Sequence, residues 1–199
     1  MVSRTNVGII GIQGAVSEHI NIMKKALKDK KLDGDVIEIK NRSQIDNIDG
    51  LIIPGGESTT ISRIIYKSGL YQKIKNKIKN NELAVMGTCA GCVILSKNII
   101  DNTKDVKNLK VMDIKVQRNF FGRQKQSFEK KIEIKGFKKP YNALFIRAPV
   151  ITKADGKCKI LSIVDEKIVM VKQEKMLALS FHPELTNDLR IHRYFLDMI

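Results

Sequence analysis

The sequence predicts an α/β fold, a single domain over residues 1–199 with a mixed, mostly parallel central sheet flanked by helices on both faces. Three observations carry this. In the first half, short runs of Val, Ile and Leu alternate with longer segments whose apolar residues recur at helical spacing. The apolar runs stop at turns rich in Gly and Pro. In the second half the helical segments give way to short, closely spaced strand-like stretches.

Taken in order, Asn6 to Ile12 is an apolar strand that ends in Gly11-Ile-Gln-Gly14, a tight turn. Residues 15–31 place Ile20, Met23 and Leu27 at helical spacing. Asp35 to Lys40 alternates and reads as a second strand, and Gly50 to Pro54 is a buried strand stopped by Pro54-Gly55-Gly56. Helices are expected over about 58–68 and 70–80, separated by Gly69. Leu83 to Gly87 is another short strand, running directly into Thr88-Cys89-Ala90-Gly91 and a helix through about Lys97. Such alternation predicts a parallel sheet covered on both sides. Beyond it, Val111–Val116, Phe128–Ile134, Ala143–Arg147, Ile160–Val164, Ile168–Lys172 and Leu177–Phe181 read as strands added antiparallel to that sheet, and an amphipathic helix over 187–199 closes the chain.

Composition excludes several classes. Hydrophobic residues make up 43%, enough for a core, yet no apolar run reaches the roughly 18 residues of a membrane span. The apolar stretch Val7 to Ile12 is short and lacks a basic flank and a cleavage site, so no secretory signal is expected. Three cysteines do not suggest a disulfide framework, and a reducing, cytoplasmic location follows. The net charge of +15 raises the question of nucleic acid. The lysines are scattered, however, as in Lys73-Ile-Lys-Asn-Lys-Ile-Lys79, with no interleaved aromatics, no zinc-finger pattern and no Trp. That charge reads as a solvated surface, and no nucleic-acid partner is expected.

The chemistry concentrates in two places. Gly87-Thr-Cys89-Ala-Gly91 has the form Gly-x-nucleophile-x-Gly between an apolar strand and a helix. A sharp strand-to-helix turn lifts the nucleophile above the sheet, and small neighbours let backbone pass close by. A thiol at a helix N-terminus is favoured as thiolate, and the N–H of Ala90 would face a developing oxyanion. A thiol nucleophile needs a base that later protonates a leaving amine, a task suited to histidine. Of His19, His182 and His192, only His182 follows a sheet strand, in Phe181-His-Pro-Glu184. There Glu184, two residues on along an extended link stiffened by Pro183, can orient the imidazole as in other triads.

These residues resemble the class I (triad) glutamine amidotransferases, whose nucleophile sits in a Gly-x-Cys-x-Gly elbow and whose base and orienter sit in a later His-x-Glu. More narrowly, the chain is similar to the family of glutaminase subunits of pyridoxal 5'-phosphate synthase, the PdxT type. Six blocks in order carry the likeness: Gly11-Ile-Gln-Gly-Ala15 with Glu18-His19, Pro54-Gly-Gly-Glu-Ser-Thr-Thr60, Gly87-Thr-Cys-Ala-Gly91, Arg118-Asn-Phe-Phe-Gly-Arg-Gln124, Phe145-Ile-Arg-Ala-Pro149 and Ser180-Phe-His-Pro-Glu-Leu185. The resemblance implies that Cys89 attacks the side-chain amide of L-glutamine to form a glutamyl thioester, with His182 relaying the proton and Glu184 orienting it. It implies an oxyanion hole from Gly56 and Ala90, and a glutamine site lined by Gly56, Glu57, Ser58, Arg118, Ile146 and Arg147. It also implies a synthase subunit (PdxS type) as partner in a hetero-oligomer, with the Gln13 region and the first helix near the interface. No metal or other cofactor is implied. The family's ammonia goes to a synthase that builds pyridoxal phosphate, and relatives more often carry an apolar side chain where this chain has Cys92.

Other functions remain open at this level. A glutaminase for another synthase, such as imidazole glycerol phosphate synthase, would share the triad. Cys89-Ala-Gly-Cys92 is also a Cys-x-x-Cys, the pattern of a thiol oxidoreductase. A non-catalytic basic binding module would account for the charge alone.

Overall fold

The computed structural model describes residues 4–11, 13–100, 105–118, 120 and 127–199. Its first half follows the expected alternation: β1 (Val7–Ile10), α1 (Val16–Asp29), β2 (Val36–Ile39), β3 (Gly50–Ile53), α2 (Ser58–Lys67), α3 (Leu70–Lys79), β4 (Ala84–Thr88) and α4 (Ala90–Leu95). The second half contains β5 (Ser96–Ile100), β6 (Met112–Gln117), β7 (Ser127–Ile132), β8 (Tyr141–Ile146), β9 (Val150–Ala154), β10 (Lys159–Val164), β11 (Lys167–Gln173), β12 (Met176–Leu179) and α5 (Arg190–Leu196).

The main sheet runs in the order β2-β1-β3-β4-β12-β11-β9-β6-β5, with β10 paired to β11. Strands β2, β1, β3, β4 and β12 are mutually parallel neighbours, whereas β11 meets β9, β10 and β12 antiparallel. In the parallel part, alternate residues serve opposite cores, as a sheet covered on both sides requires. Ile10, Leu51, Ile53 and Val85 join the core beneath α2, α3 and α4. Ile9, Ile52, Ala84 and Met86 face the other way, toward α1 and α5.

Four features differ from the sequence reading. The helix after Cys89 stops at Leu95, because Ser96–Ile100 leaves it as a strand that pairs parallel with β6. Strand β9 went unrecognised, though it links β11 to β6. Strand β12 runs parallel to β4, since its hairpin with β11 slots it between those two strands. Strands β7 and β8 form a two-stranded sheet of their own. They place Tyr141, Ala143 and Phe145 over the core beside α1 and α5, with Phe128 stacked on Phe145 at 4.7 Å between ring centroids. Among the described residues, no helix is long and apolar enough to cross a membrane.

Candidate active site

Strands β4 and β12 end side by side, with Thr88 in register with Leu179. The next residue on the first strand is Cys89 and the third on the second is His182, so the sheet delivers thiol and imidazole to one edge. Cys89 has φ 48° and ψ −103°, a conformation that L-residues adopt only under constraint. The constraint is visible: its N–H donates to the Leu179 carbonyl at 2.8 Å on one side, and α4 begins at Ala90 on the other. The flanking glycines answer to close contact. A Cβ on Gly91 would lie 2.0 Å from the Ile53 carbonyl oxygen, and one on Gly87 would lie 2.5 Å from the Gly91 carbonyl carbon. Ala90, as the first residue of α4, has an N–H outside the helix's own hydrogen-bond ladder.

His182 is 7% exposed and Glu184 5%. Imidazole Nδ1 and carboxylate Oε1 are 2.6 Å apart. The link between them is not the extended one expected from sequence. Pro183–Leu185 is a 3-10 turn, and it folds the carboxylate back under the ring. The backbone N–H of His182 donates to the Leu144 carbonyl at 2.8 Å, which fixes the residue against β8. A Cβ on Gly55 would touch His182 Cε1 at 2.5 Å and Cys89 Cβ at 3.3 Å, so the two side chains flank the same point of backbone.

The electrostatics fit an ion pair. Burial pushes the His182 pKa down, but Cys89 and Glu184 overcome it and hold the imidazole at about 10. Burial likewise pushes the Glu184 carboxyl up, and His19 and His182 outweigh it to leave the group below its ordinary value. An imidazolium held beside a sulfur and a carboxylate can deliver a proton to a leaving amine, and the imidazole it leaves can accept one from water.

A cavity of about 520 Å³ opens above these residues, lined by Gly55, Gly56, Ser58, Cys89, Arg118 and His182 among others. Every residue expected from sequence at the site borders it except Glu184, which lies beneath His182. Arg118 Nη1 is buried and has no hydrogen-bond partner among the described residues, a donor suited to a ligand's carboxylate. Glu57 is engaged differently: its carboxylate caps α2 by accepting from the Thr59 and Thr60 N–H groups at 3.1 and 2.7 Å. Burial raises its pKa, but those donors bring it to about 2. Gly56 has φ 152°, and its Cα faces the Gly14 backbone, so the turn after β1 packs directly on the turn after β3. The Cys89 thiol points toward the Ile146 carbonyl, 3.8 Å away. Of the expected Arg118–Gln124 block, Asn119 and residues 121–124 lie outside the described residues.

Cys92 is fully buried in the apolar core, where burial drives its thiol pKa far up. It shares a buried apolar cluster with residues such as Ile53 and Val85, an environment that suits an inert thiol better than a redox partner. Among the described residues no set of three or more His, Cys, Asp or Glu side chains is placed to hold a metal ion. Sequence reasoning named His19 and Thr88 within the resembling blocks but gave them no role; His19 Nε2 lies 3.1 Å from Thr88 Oγ1 and 3.4 Å from Glu184 Oε2.

Fold and site together define an amidotransferase of the thiol-dependent triad class. The chain belongs to the SNO glutamine amidotransferase family, whose family model matches residues 9–199. It is 46% identical over 191 residues to "Pyridoxal 5'-phosphate synthase subunit PdxT" of Pyrococcus horikoshii, covering 96% of this chain and 97% of that one. The protein of the same name from Thermosipho africanus is 46% identical over 193 residues, covering 97% and 98%. A solved structure titled "Crystal structure of glutamine amidotransferase" superposes with a TM-score of 0.87 at 38% identity, over 96% of this chain and 97% of that one.

Proposed function

We propose that this chain hydrolyses L-glutamine to glutamate and ammonia and supplies the ammonia to the synthase subunit of a pyridoxal 5'-phosphate synthase. Cys89 Sγ attacks the side-chain amide carbon, and the tetrahedral adduct collapses with cleavage of the C–N bond. His182 gives its proton to the departing ammonia, leaving a glutamyl thioester. It then takes a proton from the water that attacks the thioester, and glutamate and free thiol result. Glu184 holds the imidazole tautomer. The N–H groups of Ala90 and Gly56 stabilise the oxyanion, each such donor being worth about 10²–10³ in rate. Arg118 takes the glutamine α-carboxylate, while Gly56, Glu57, Ser58, Ile146 and Arg147 form the walls. Thiol, imidazole and carboxylate suffice for this hydrolysis, so the reading calls for no cofactor.

The observation that carries the reading is the buried 2.6 Å His182–Glu184 pair at one sheet edge with a cysteine at φ 48°. The names of the relatives support the partner, a synthase subunit joined to this chain in a hetero-oligomer. A free catalytic thiol belongs in a reducing compartment, and we place the chain in the cytoplasm.

The test measures glutamate release with the synthase subunit present. Cys89→Ala should abolish it, while Cys158→Ala and Cys92→Ala should retain it. A glutamine-like alkylating reagent should label Cys89, read by mass spectrometry. Parental turnover by Cys89→Ala would overturn the assignment.

A further inference from the structure

All three histidines of the chain are buried, and the reaction as derived uses one. His19, on α1, is fully buried with its Nε2 3.1 Å from Thr88 Oγ1 and 3.4 Å from Glu184 Oε2. Glu184 Oε1 already accepts from His182, so its two oxygens face two different imidazoles. Thr88 is the residue before the nucleophile. A single ring nitrogen on α1 therefore touches both the strand that carries Cys89 and the carboxylate behind His182.

The tautomer of His19 follows from these contacts. Burial keeps the ring neutral, so one nitrogen carries the proton. With the proton on Nε2, the N–H donates to the Thr88 hydroxyl and sits 3.4 Å from Glu184 Oε2, a buried oxygen with no hydrogen bond of its own, and Nδ1, which has no partner, is left bare. With the proton on Nδ1, a buried N–H would be orphaned and a lone pair would face an anionic oxygen. The first arrangement is favoured on both counts. His192, on α5, lies 6.0 Å away between ring centroids and is itself held neutral by burial, at about 3. It packs against His19 without competing for the carboxylate as a cation. The other titratable groups facing this pair are His182, Glu18 next to His19 on α1, and Tyr141 on β8, whose hydroxyl meets Thr186 at 3.0 Å.

We propose that His19 is a positioning residue for the hydrolysis, its Nε2–H fixed by Thr88 Oγ1 and set 3.4 Å from the otherwise unpartnered Glu184 Oε2, so that its positive end draws the carboxylate into the orientation His182 requires. A carboxylate anchored at one oxygen can swing about its last bond, and a polarised N–H close to the second oxygen biases it toward the plane in which the imidazole donates. The proposal rests on the catalytic reading above. The N–H also favours the ionised carboxylate in a site from which water is excluded.

The experiment compares His19→Leu and His19→Gln with the parent, each assembled with the synthase subunit. His19→Leu removes the donor, and His19→Gln restores an N–H at similar reach. For His19→Leu we expect kcat to fall about 10- to 100-fold with KM for glutamine little changed, the scale of losing an outer hydrogen bond to a functional group. The acid limb of its kcat/KM profile should move to higher pH, because a carboxylate lacking one donor takes up its proton sooner. His19→Gln should recover most of kcat and the parental limb. Parental kcat and pH profile in His19→Leu, or the same losses in both variants, would overturn the proposal. Nitrogen-15 NMR of histidine in the parent chain reads the tautomer without any substitution. Protonated Nε2 and bare Nδ1 on His19 are expected, and the reverse would overturn the proposal even if His19→Leu failed to fold. Inactive Cys89→Ala beside a fully active His19→Leu would defeat the positioning role alone, whereas active Cys89→Ala would defeat the catalytic reading.

Discussion

At the residue scale the site turns on where one proton sits. His182 lies between Cys89 and Glu184, and the two together raise its pKa from 6.5 to about 10 against the effect of burial. A histidine with a raised pKa keeps its proton through neutral pH and loses it only as the pH rises through the raised value. On the proposed mechanism, the imidazolium that protonates leaving ammonia should therefore persist well above pH 7, with the alkaline limb of kcat/KM for glutamine lying near pH 10. Glu184→Gln keeps the shape of the side chain and removes its charge. Its alkaline limb should shift toward neutral pH and its rate fall by about 10²–10⁴. A pH profile of Glu184→Gln that superposes on the parent's would mean that the carboxylate charge does not hold the proton.

At the element scale, the elbow works because α4 leaves β4 at very close quarters to β3. The Ile53 carbonyl oxygen occupies the space a side chain at position 91 would need, and it is backbone locked between β1 and β4. Gly91→Ala should therefore destabilise the chain by about 1–3 kcal/mol or more, since the obstruction cannot rotate away. At about 2–4 °C per kcal/mol for a chain of this size, thermal unfolding would register it. An unchanged midpoint would show that α4 can slide outward at no cost. This closeness also explains why the elbow was legible from sequence: only small residues fit, and they punctuate an otherwise apolar run. The parallel strands were legible too, because burial on both faces writes them as continuous Val/Ile/Leu segments. The second half was harder. Strand β9 sits between β6 and β11, and nothing local in Val150–Ala154 says which neighbours it joins. The separate β7–β8 pair has one buried face, a pattern shared with an edge of the main sheet. The sequence also pointed to His182 through its place after a strand. His19 was named in a resembling block but given no role, since its contact with Glu184 comes from the packing of α1 against the turn that carries that carboxylate.

At the scale of the whole molecule, the charge remains to be explained physically. The chain carries 36 Lys and Arg against 21 Asp and Glu, so no scheme of pairing cancels its net +15. The ion pairs that form are mostly exposed, as with Arg4–Asp35 and Lys157–Glu174, and pairs of that kind contribute about 0–1 kcal/mol each. Long-range repulsion among the surplus cations opposes the compact state, and folding must overcome it with the two cores that sandwich the sheet. Salt weakens attraction and repulsion alike. With so large an imbalance the repulsive sum is the greater, and its longer reach makes it the more sensitive as the Debye length shrinks from about 30 Å at 0.01 M to about 8 Å at 0.15 M. Thermal unfolding of the isolated chain should therefore shift upward as sodium chloride is raised across that range. An uncharged osmolyte at matched osmolality separates screening from exclusion at the protein surface. A midpoint that falls with salt would show that the specific ion pairs, and not the surplus charge, dominate the electrostatics of the folded chain.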